Sequence, residues 1–175
     1  MKNETIKRPA NLEIENATIR FKNFSGRESD FNPKGRRNFA VFLDNETAEV
    51  LAKDGWNVKY KKAKEEGDPD IPYIQVAVNY TEERSPQIYR ITGNNMTLED
   101  AITVGDLDYA EIINADLIIT PSIWDVRGKK GIKAYLSKAW ITIQKSRFDD
   151  KYSHFNRIVS NTSNDVSDDD ENPFD

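Results

Sequence analysis

The sequence predicts an all-β barrel with one short helix, followed by a disordered acidic tail. Three observations predict it. Short segments that alternate apolar and polar residues recur through residues 15–148, separated by turn signals. A single segment carries helix caps. The charge balance changes abruptly near residue 149. Many short strands joined by tight turns favour a closed barrel, because closure removes the exposed sheet edges that invite aggregation.

The elements follow in order. Residues 1–14 read as a polar N-terminal arm. Residues 16–24 alternate, with Ile19 and Phe21 on one side and Arg20 and Lys22 on the other. Residues 25–37 form a polar loop with Gly26, the turn signal Asn32-Pro33-Lys34-Gly35, and the bases Arg27, Lys34, Arg36 and Arg37. Residues 38–43 form a short apolar strand. Asp44 or Asn45 can cap a helix over 46–54, with Val50 and Leu51 facing inward and Gly55 as its stop. Residues 56–62 read as a strand. In 73–80, Ile74, Val76 and Val78 face one way, while Tyr73, Gln75 and Asn79 face the other. Residues 87–92 form a strand ending at the turn Gly93-Asn94-Asn95. Residues 97–108 are ambiguous between strand and helical turn. Strands over 115–121 and 132–144 flank a basic hairpin tip, Gly128-Lys129-Lys130-Gly131. The second is long enough to curve and serve two sheets.

The chain has 175 residues. A body of about 150 residues buries roughly 68–70% of its unfolded surface and needs no staples. There is no Cys, and the one His is His154, which excludes disulfides, zinc–thiolate sites and His-based metal sites. No stretch of about 18 apolar residues is present, so neither a membrane span nor a signal peptide is expected. The expected location is the cytoplasm.

The net charge of −5 hides a division. Residues 149–175 hold eight acids and two bases, whereas the body carries 23 bases and 22 acids. Residues 126–148 carry seven bases and no acid, with Tyr135 and Trp140 among them. Distribution, rather than overall charge, is the test for a polyanion partner.

Single strands are held by cations that track phosphates and by aromatic faces that stack bases. Three segments combine the two. The first offers Phe24, Phe31, Lys34, Arg36 and Arg37; the second Trp56, Lys59, Tyr60, Lys61 and Lys62; the third Trp124, Lys129, Lys130, Lys133 and Tyr135. Phe21, Phe39 and Phe42 are expected in the core. Trp56, Val58 and Tyr60 share one parity, so both aromatics could instead be core while the lysines face out. Signals of catalysis are poor. There is no glycine-rich phosphate loop, and the one acidic set that could hold Mg²⁺ for a nuclease is Asp106, Asp108 and Asp116. No cofactor is expected.

The strings Asn23-Phe24-Ser25-Gly26, Asn32-Pro33-Lys34-Gly35-Arg36-Arg37-Asn38-Phe39-Ala40-Val41-Phe42-Leu43, Gly55-Trp56-Asn57-Val58-Lys59 and Gly131-Ile132-Lys133-Ala134-Tyr135-Leu136 resemble a bacteriophage single-stranded DNA-binding protein family. The resemblance covers most of residues 15–148. It implies an oligonucleotide-binding (OB) fold domain there, an acidic tail over 149–175, single-stranded DNA as partner, and a host-cell cytoplasmic location. The tail residues Asp168, Asp169, Asp170, Glu171, Pro173 and Phe174 are similar to the acidic Pro-Phe tips that recruit replication or recombination proteins. Those tips commonly end on Phe, whereas this sequence ends on Asp175. The expected function is therefore to bind and protect single-stranded DNA in replication or recombination, in a protein that could oligomerise. The rival readings are a single-strand RNA-binding protein or RNA chaperone on the same barrel, the Mg²⁺-dependent nuclease, and a DNA mimic acting through its tail.

Overall fold

Residues 7–145, which the computed structural model describes, form nine strands, one α-helix and one 3-10 turn. The strands are β1 (Leu12–Ile14), β2 (Thr18–Asn23), β3 (Arg37–Phe42), β4 (Lys59–Lys61), β5 (Ile71–Val78), β6 (Gln87–Thr92), β7 (Asn95–Glu99), β8 (Ile112–Val126) and β9 (Lys129–Ile143). The helix α1 is Asn45–Lys53, and the 3-10 turn is Val104–Asp108. The tail residues 149–175 and the start of the arm, residues 1–6, lie outside the described residues.

The main strand order is β1-β8-β9-β5-β3-β2. Laid flat, five spacings of ~4.8 Å would put β1 about 24 Å from β2. Yet only residues 15–17 separate the two strands, a link that reaches about 14 Å at full extension. The sheet must therefore curl until its ends meet. Taking β1 and β2 as halves of one broken strand, the order returns to its start through β3, β5, β9 and β8. That is the partly open five-stranded Greek-key barrel of OB type. The strand is broken at residues 15–17, with β1 paired only to β8 and β2 only to β3 among the described residues, so the barrel is partly open there. The β6–β7 hairpin is an addition. β6 lies parallel to the second half of β9, as β5 lies parallel to its first half. The long strand thus serves successive neighbours within one sheet rather than two sheets.

The core fills the inside of the curl. Phe39, Val41, Ile74, Val76, Ile132 and Leu136 alternate inward from β3, β5 and β9, as the period-2 pattern of β5 requires. Fully burying such side chains is worth about 1.5–3 kcal/mol each. Helix α1 starts where Asp44 accepts a hydrogen bond from Thr47 N at 2.7 Å. That bond holds the Asp44 carboxyl below its ordinary range. The helix ends at Gly55, whose φ of +98° suits the residue after a helix.

Several local expectations fail, each for a geometric reason; Phe42, expected in the core, follows the inward Val41 on β3 and so lies part-buried on the outward face. Val50 is exposed, and the inward residues of α1 are Ala48 and Leu51; at about 100° per residue, Val50 falls nearly opposite Ala48 and outside their stripe. Leu12–Ile14 is not free arm but pairs with Leu117–Ile119 of β8. Phe21 is exposed rather than core. The β2–β3 register shifts between Arg20 and Asn23, and Phe21 takes a φ of +54° at this bulge, which turns it off the inward face of Ile19. Finally, residues 56–62 are not one strand. Val58 N donates to Trp56 O at 3.0 Å, a three-residue turn that ends the alternation before β4 begins.

Candidate nucleic-acid interface

The outward face of the barrel is polar and aromatic where β3, β5 and β9 adjoin. On β5 it presents Tyr73, Gln75 and Ala77, opposite Phe42, Ala40 and Asn38 of β3. Ala77 also pairs with Tyr135 of β9. Lys59 of β4 sits opposite Tyr73, and its ammonium donates to Gln75 Oε1 at 3.3 Å. A groove of about 250 Å³ runs over this face, walled by Arg36, Asn38, Lys59, Gln75, Trp124 and Lys133 among others.

Two projecting segments flank the groove. One is the β8–β9 hairpin, whose turn is Arg127-Gly128, with φ values of +53° and +79°. Positive φ at both central residues gives the turn whose twist matches the flanking strands. Lys129 and Lys130 are therefore already within β9, not at the tip. Lys130 makes only an exposed 4.0 Å pair with Asp125, an interaction of little energetic weight. Trp124 pairs with Gly131 across the hairpin. A Cβ at position 131 would lie 2.5 Å from Trp124 Cζ2, so the indole rests directly on bare backbone. Its other side is open, and the residue is 42% exposed.

The other segment is the loop over residues 25–36. Gly35 N donates to Gly26 O at 2.8 Å, and a Cβ on Gly26 would meet the Gly35 backbone at 3.0 Å. Asn32 is the hub of the loop. Its amide donates to the carbonyls of Arg27, Pro33 and Arg36, and its Oδ1 accepts from Asn38 Nδ2 at 2.9 Å. Ser29 and Asn32 exchange backbone hydrogen bonds, which puts Asp30 and Phe31 at a tight tip. Phe31 is 98% exposed there. Lys34 and Arg36 are exposed beside it.

Asp108 anchors this loop from beneath. Its buried carboxylate accepts from Phe24 N at 2.7 Å, Ser25 N at 3.1 Å and Ser25 Oγ at 2.6 Å, with Arg27 Nε 3.8 Å away. Lys22 donates to Leu107 O on the same 3-10 turn and to Ala110 O just beyond it. Burial lowers the Lys22 pKa, and the charge of Asp108 opposes that shift. Asp116 is engaged elsewhere, accepting from Asn16 N at 2.9 Å. Among the described residues no group of three acids is assembled that could hold a metal ion. The nuclease reading of Asp106, Asp108 and Asp116 therefore has no site among these residues.

The structure corrects several sequence-level site expectations. Phe24 is 0% exposed, packed on Phe39 at 5.3 Å, and has no free face for a base. Trp56 is 5% exposed and bridged to Ile132, so it forms the groove's floor from within the core. Arg37 lines the groove, but its guanidinium is held by Phe24 O at 2.7 Å and Ala101 O at 2.8 Å, to which it donates, and lies over the Tyr80 ring. Burial, opposed by Arg37, pushes the Tyr80 hydroxyl up to about 12. Tyr60, by contrast, is exposed rather than core. Tyr60, Lys61 and Lys62 are not part of the groove's wall, and Lys61 sits instead over the Phe21 ring at 5.1 Å. The groove gathers Arg36, Lys59, Trp124 and Lys133, and a neighbouring hollow adds Lys34 and Tyr135. Two residues absent from the sequence-level set stand beside them. The alternation of β5 is the signal that marks Tyr73. Arg84 covers the Tyr135 ring at 5.3 Å and has no local signal.

A family described as "Putative phage ssDNA-binding domain" matches residues 1–175, the whole chain. The chain belongs to this phage ssDNA-binding domain family. Its relation to solved structures is one of fold. A single-stranded DNA-binding protein from bacteriophage Enc34, in complex with ssDNA, is 10% identical with a TM-score of 0.51, covering 79% of this chain and 89% of that one. A C-terminally truncated form of the Enc34 protein gives 10% identity and 0.49, covering 78% and 87%. A further structure of the Enc34 protein gives 11% and 0.48, covering 79% and 83%. No curated protein sequence matches the chain. The family is one of binding, not catalysis. Among the described residues of this phage ssDNA-binding domain, no helix is long and apolar enough to cross a membrane.

Proposed function

We propose that the protein coats and protects single-stranded DNA during phage DNA replication or recombination. The strand lies across the outward face of β3, β5 and β9, between the 25–36 loop and the β8–β9 hairpin. One observation carries this reading. Trp124, Lys133 and Tyr135 alternate ring and cation on one face of one hairpin, with the Lys133 ammonium 5.2 Å from the Tyr135 ring centre. Strands 2 and 3 of OB barrels, with the loops after strands 1 and 4, are where such folds take oligonucleotides. Here those parts are β3, β5, the 25–36 loop and the β8–β9 hairpin.

The division of labour between cations and rings is the test. Replacing Lys129 and Lys130 together with Ala is expected to weaken binding and to flatten the salt dependence by about 0.7 for each phosphate no longer neutralised. Tyr135→Ala is expected to weaken binding with little change in salt dependence, because stacking releases few counterions. Affinity measured across a salt series gives both slopes, and equal slope changes in the two variants would overturn the assignment of roles.

The tail completes the proposal. Asp168, Asp169, Asp170 and Glu171 compete with DNA phosphates for the basic face, and Pro173 and Phe174 anchor replication or recombination proteins. Deleting residues 165–175 is expected to raise DNA affinity most at low salt, where the Debye length is about 30 Å. If the shortened protein binds no tighter at low salt, the tail does not compete with DNA.

A further inference from the structure

The geometry points to a second single-strand-binding station outside the groove, formed by Tyr89, Lys138 and Trp140 on the outward face of β6 and β9. The inference rests on the proposed function and extends it, since nothing in that reading requires nucleotides beyond Tyr135.

The observation begins in the sequence of β9, where Lys133-Ala134-Tyr135 is followed by Lys138-Ala139-Trp140. The two cation–Ala–ring triplets are offset by five residues. In a regular strand an odd offset puts them on opposite faces. Here the register with β8 shifts: Ile119 pairs with Leu136 and Ile118 with Lys138, which leaves Ser137 without an opposite residue. This bulge resets the alternation. Ala134 and Leu136 face inward before it, Ala139 and Ile141 after it. Lys138 and Trp140 thus emerge on the same face as Lys133 and Tyr135, roughly 15 Å further along the strand.

The two triplets are built alike. Lys138 lies 4.7 Å from the Trp140 ring centre, as Lys133 lies 5.2 Å from that of Tyr135. Each ring has a second companion from outside the hairpin. Arg84 covers Tyr135, while Tyr89 of β6, paired in register with Trp140, stacks beside it at 6.2 Å and 18°. Lys138 also lies 5.7 Å from the Tyr89 ring centre. Of the acids on this face, Asp116 sits opposite Trp140 on β8 with one oxygen committed to Asn16 N, and Glu13 of β1 lies two strands from Lys138, beyond Ile118. Among the described residues no carboxylate pairs with Lys138. A strand leaving the groove past Tyr135 therefore meets a second cation and a second pair of rings in line with the first.

Length-dependent binding tests this directly. Full-length protein and its Tyr89→Ala and Lys138→Ala variants are titrated with oligothymidylates of about six and about twenty-five nucleotides, one near the lower end of single-barrel site sizes and one beyond their upper end. The short oligomer is expected to bind all three equally. The long one is expected to bind each variant roughly fivefold or more weakly than the unaltered protein. In a Trp124→Phe background, where Trp56 is buried, the long oligomer is expected to quench the remaining tryptophan fluorescence and the short one not to. Equal binding of all three proteins at both lengths overturns the second station. So does an equal loss at both lengths, which would place these residues in the groove's own function. If the unaltered protein binds neither oligomer, the proposed function itself fails and this inference falls with it.

Discussion

Single-stranded DNA affinity is expected to fall by more than an order of magnitude, and by up to about four, when Trp124 and Tyr135 are both replaced by Ala. Base–aromatic stacks are worth about 1–3 kcal/mol each, so two together account for roughly 2–6 kcal/mol, and each 1.4 kcal/mol is about tenfold. The salt dependence should barely move, because neither ring neutralises a phosphate. A third variant isolates the geometry. Gly131→Ala removes no side chain but brings a methyl to within 2.5 Å of the Trp124 indole, which must move off its seat. It is expected to reproduce most of the Trp124→Ala loss. Affinities of the three variants on one long oligothymidylate check this. A Gly131→Ala protein that binds normally would show that the seated position of Trp124 is not the one that stacks.

Asp108→Ala is expected to have the largest effect on stability. The carboxylate is fully buried and accepts from two backbone amides and a hydroxyl at the start of the 25–36 loop. The part-buried Phe24 amide left without its partner costs about 1–3 kcal/mol, whereas the exposed Ser25 donors can turn to water. At the upper end, a loss of about 3 kcal/mol lowers the melting temperature by roughly 10 °C in a domain of this size. The loop that presents Phe31, Lys34 and Arg36 loses its anchor, so DNA affinity should fall in parallel. Thermal unfolding and DNA titration of the same variant test the account. Unchanged stability would mean that Asp108 is not the anchor.

Much of the fold and part of the site are legible in the sequence. The period-2 pattern of Ile74, Val76 and Val78 identifies a strand and its inward face, and Asp44 marks the helix start. The basic, aromatic character of residues 124–140 marks the right hairpin. The misplacements within strands share one physical cause, because alternation identifies a face only while the strand is regular. The bulge at Phe21 turns an expected core ring outward, and the turn at Trp56 separates its fate from that of Tyr60. The bulge at Ser137 hides Lys138 and Trp140 by moving them to the face of Tyr135. Phe24 and Arg37 depart from expectation for a different reason. Their loop folds back over Asp108 and Ala101, partners more than 60 residues distant that no local pattern encodes.

The central claim is that rings on the outward face stack on unpaired bases, with cations beside them for the phosphates. Duplex DNA offers the same phosphates but keeps its bases stacked within the helix. The most direct measurement is the ratio of affinities for a single strand and for a blunt duplex of the same length and sequence, at one salt concentration. The account predicts at least about tenfold tighter binding of the single strand, from one or more stacks of 1–3 kcal/mol that the duplex cannot make. Equal affinity for the two would contradict it, leaving the aromatic face without a role in binding.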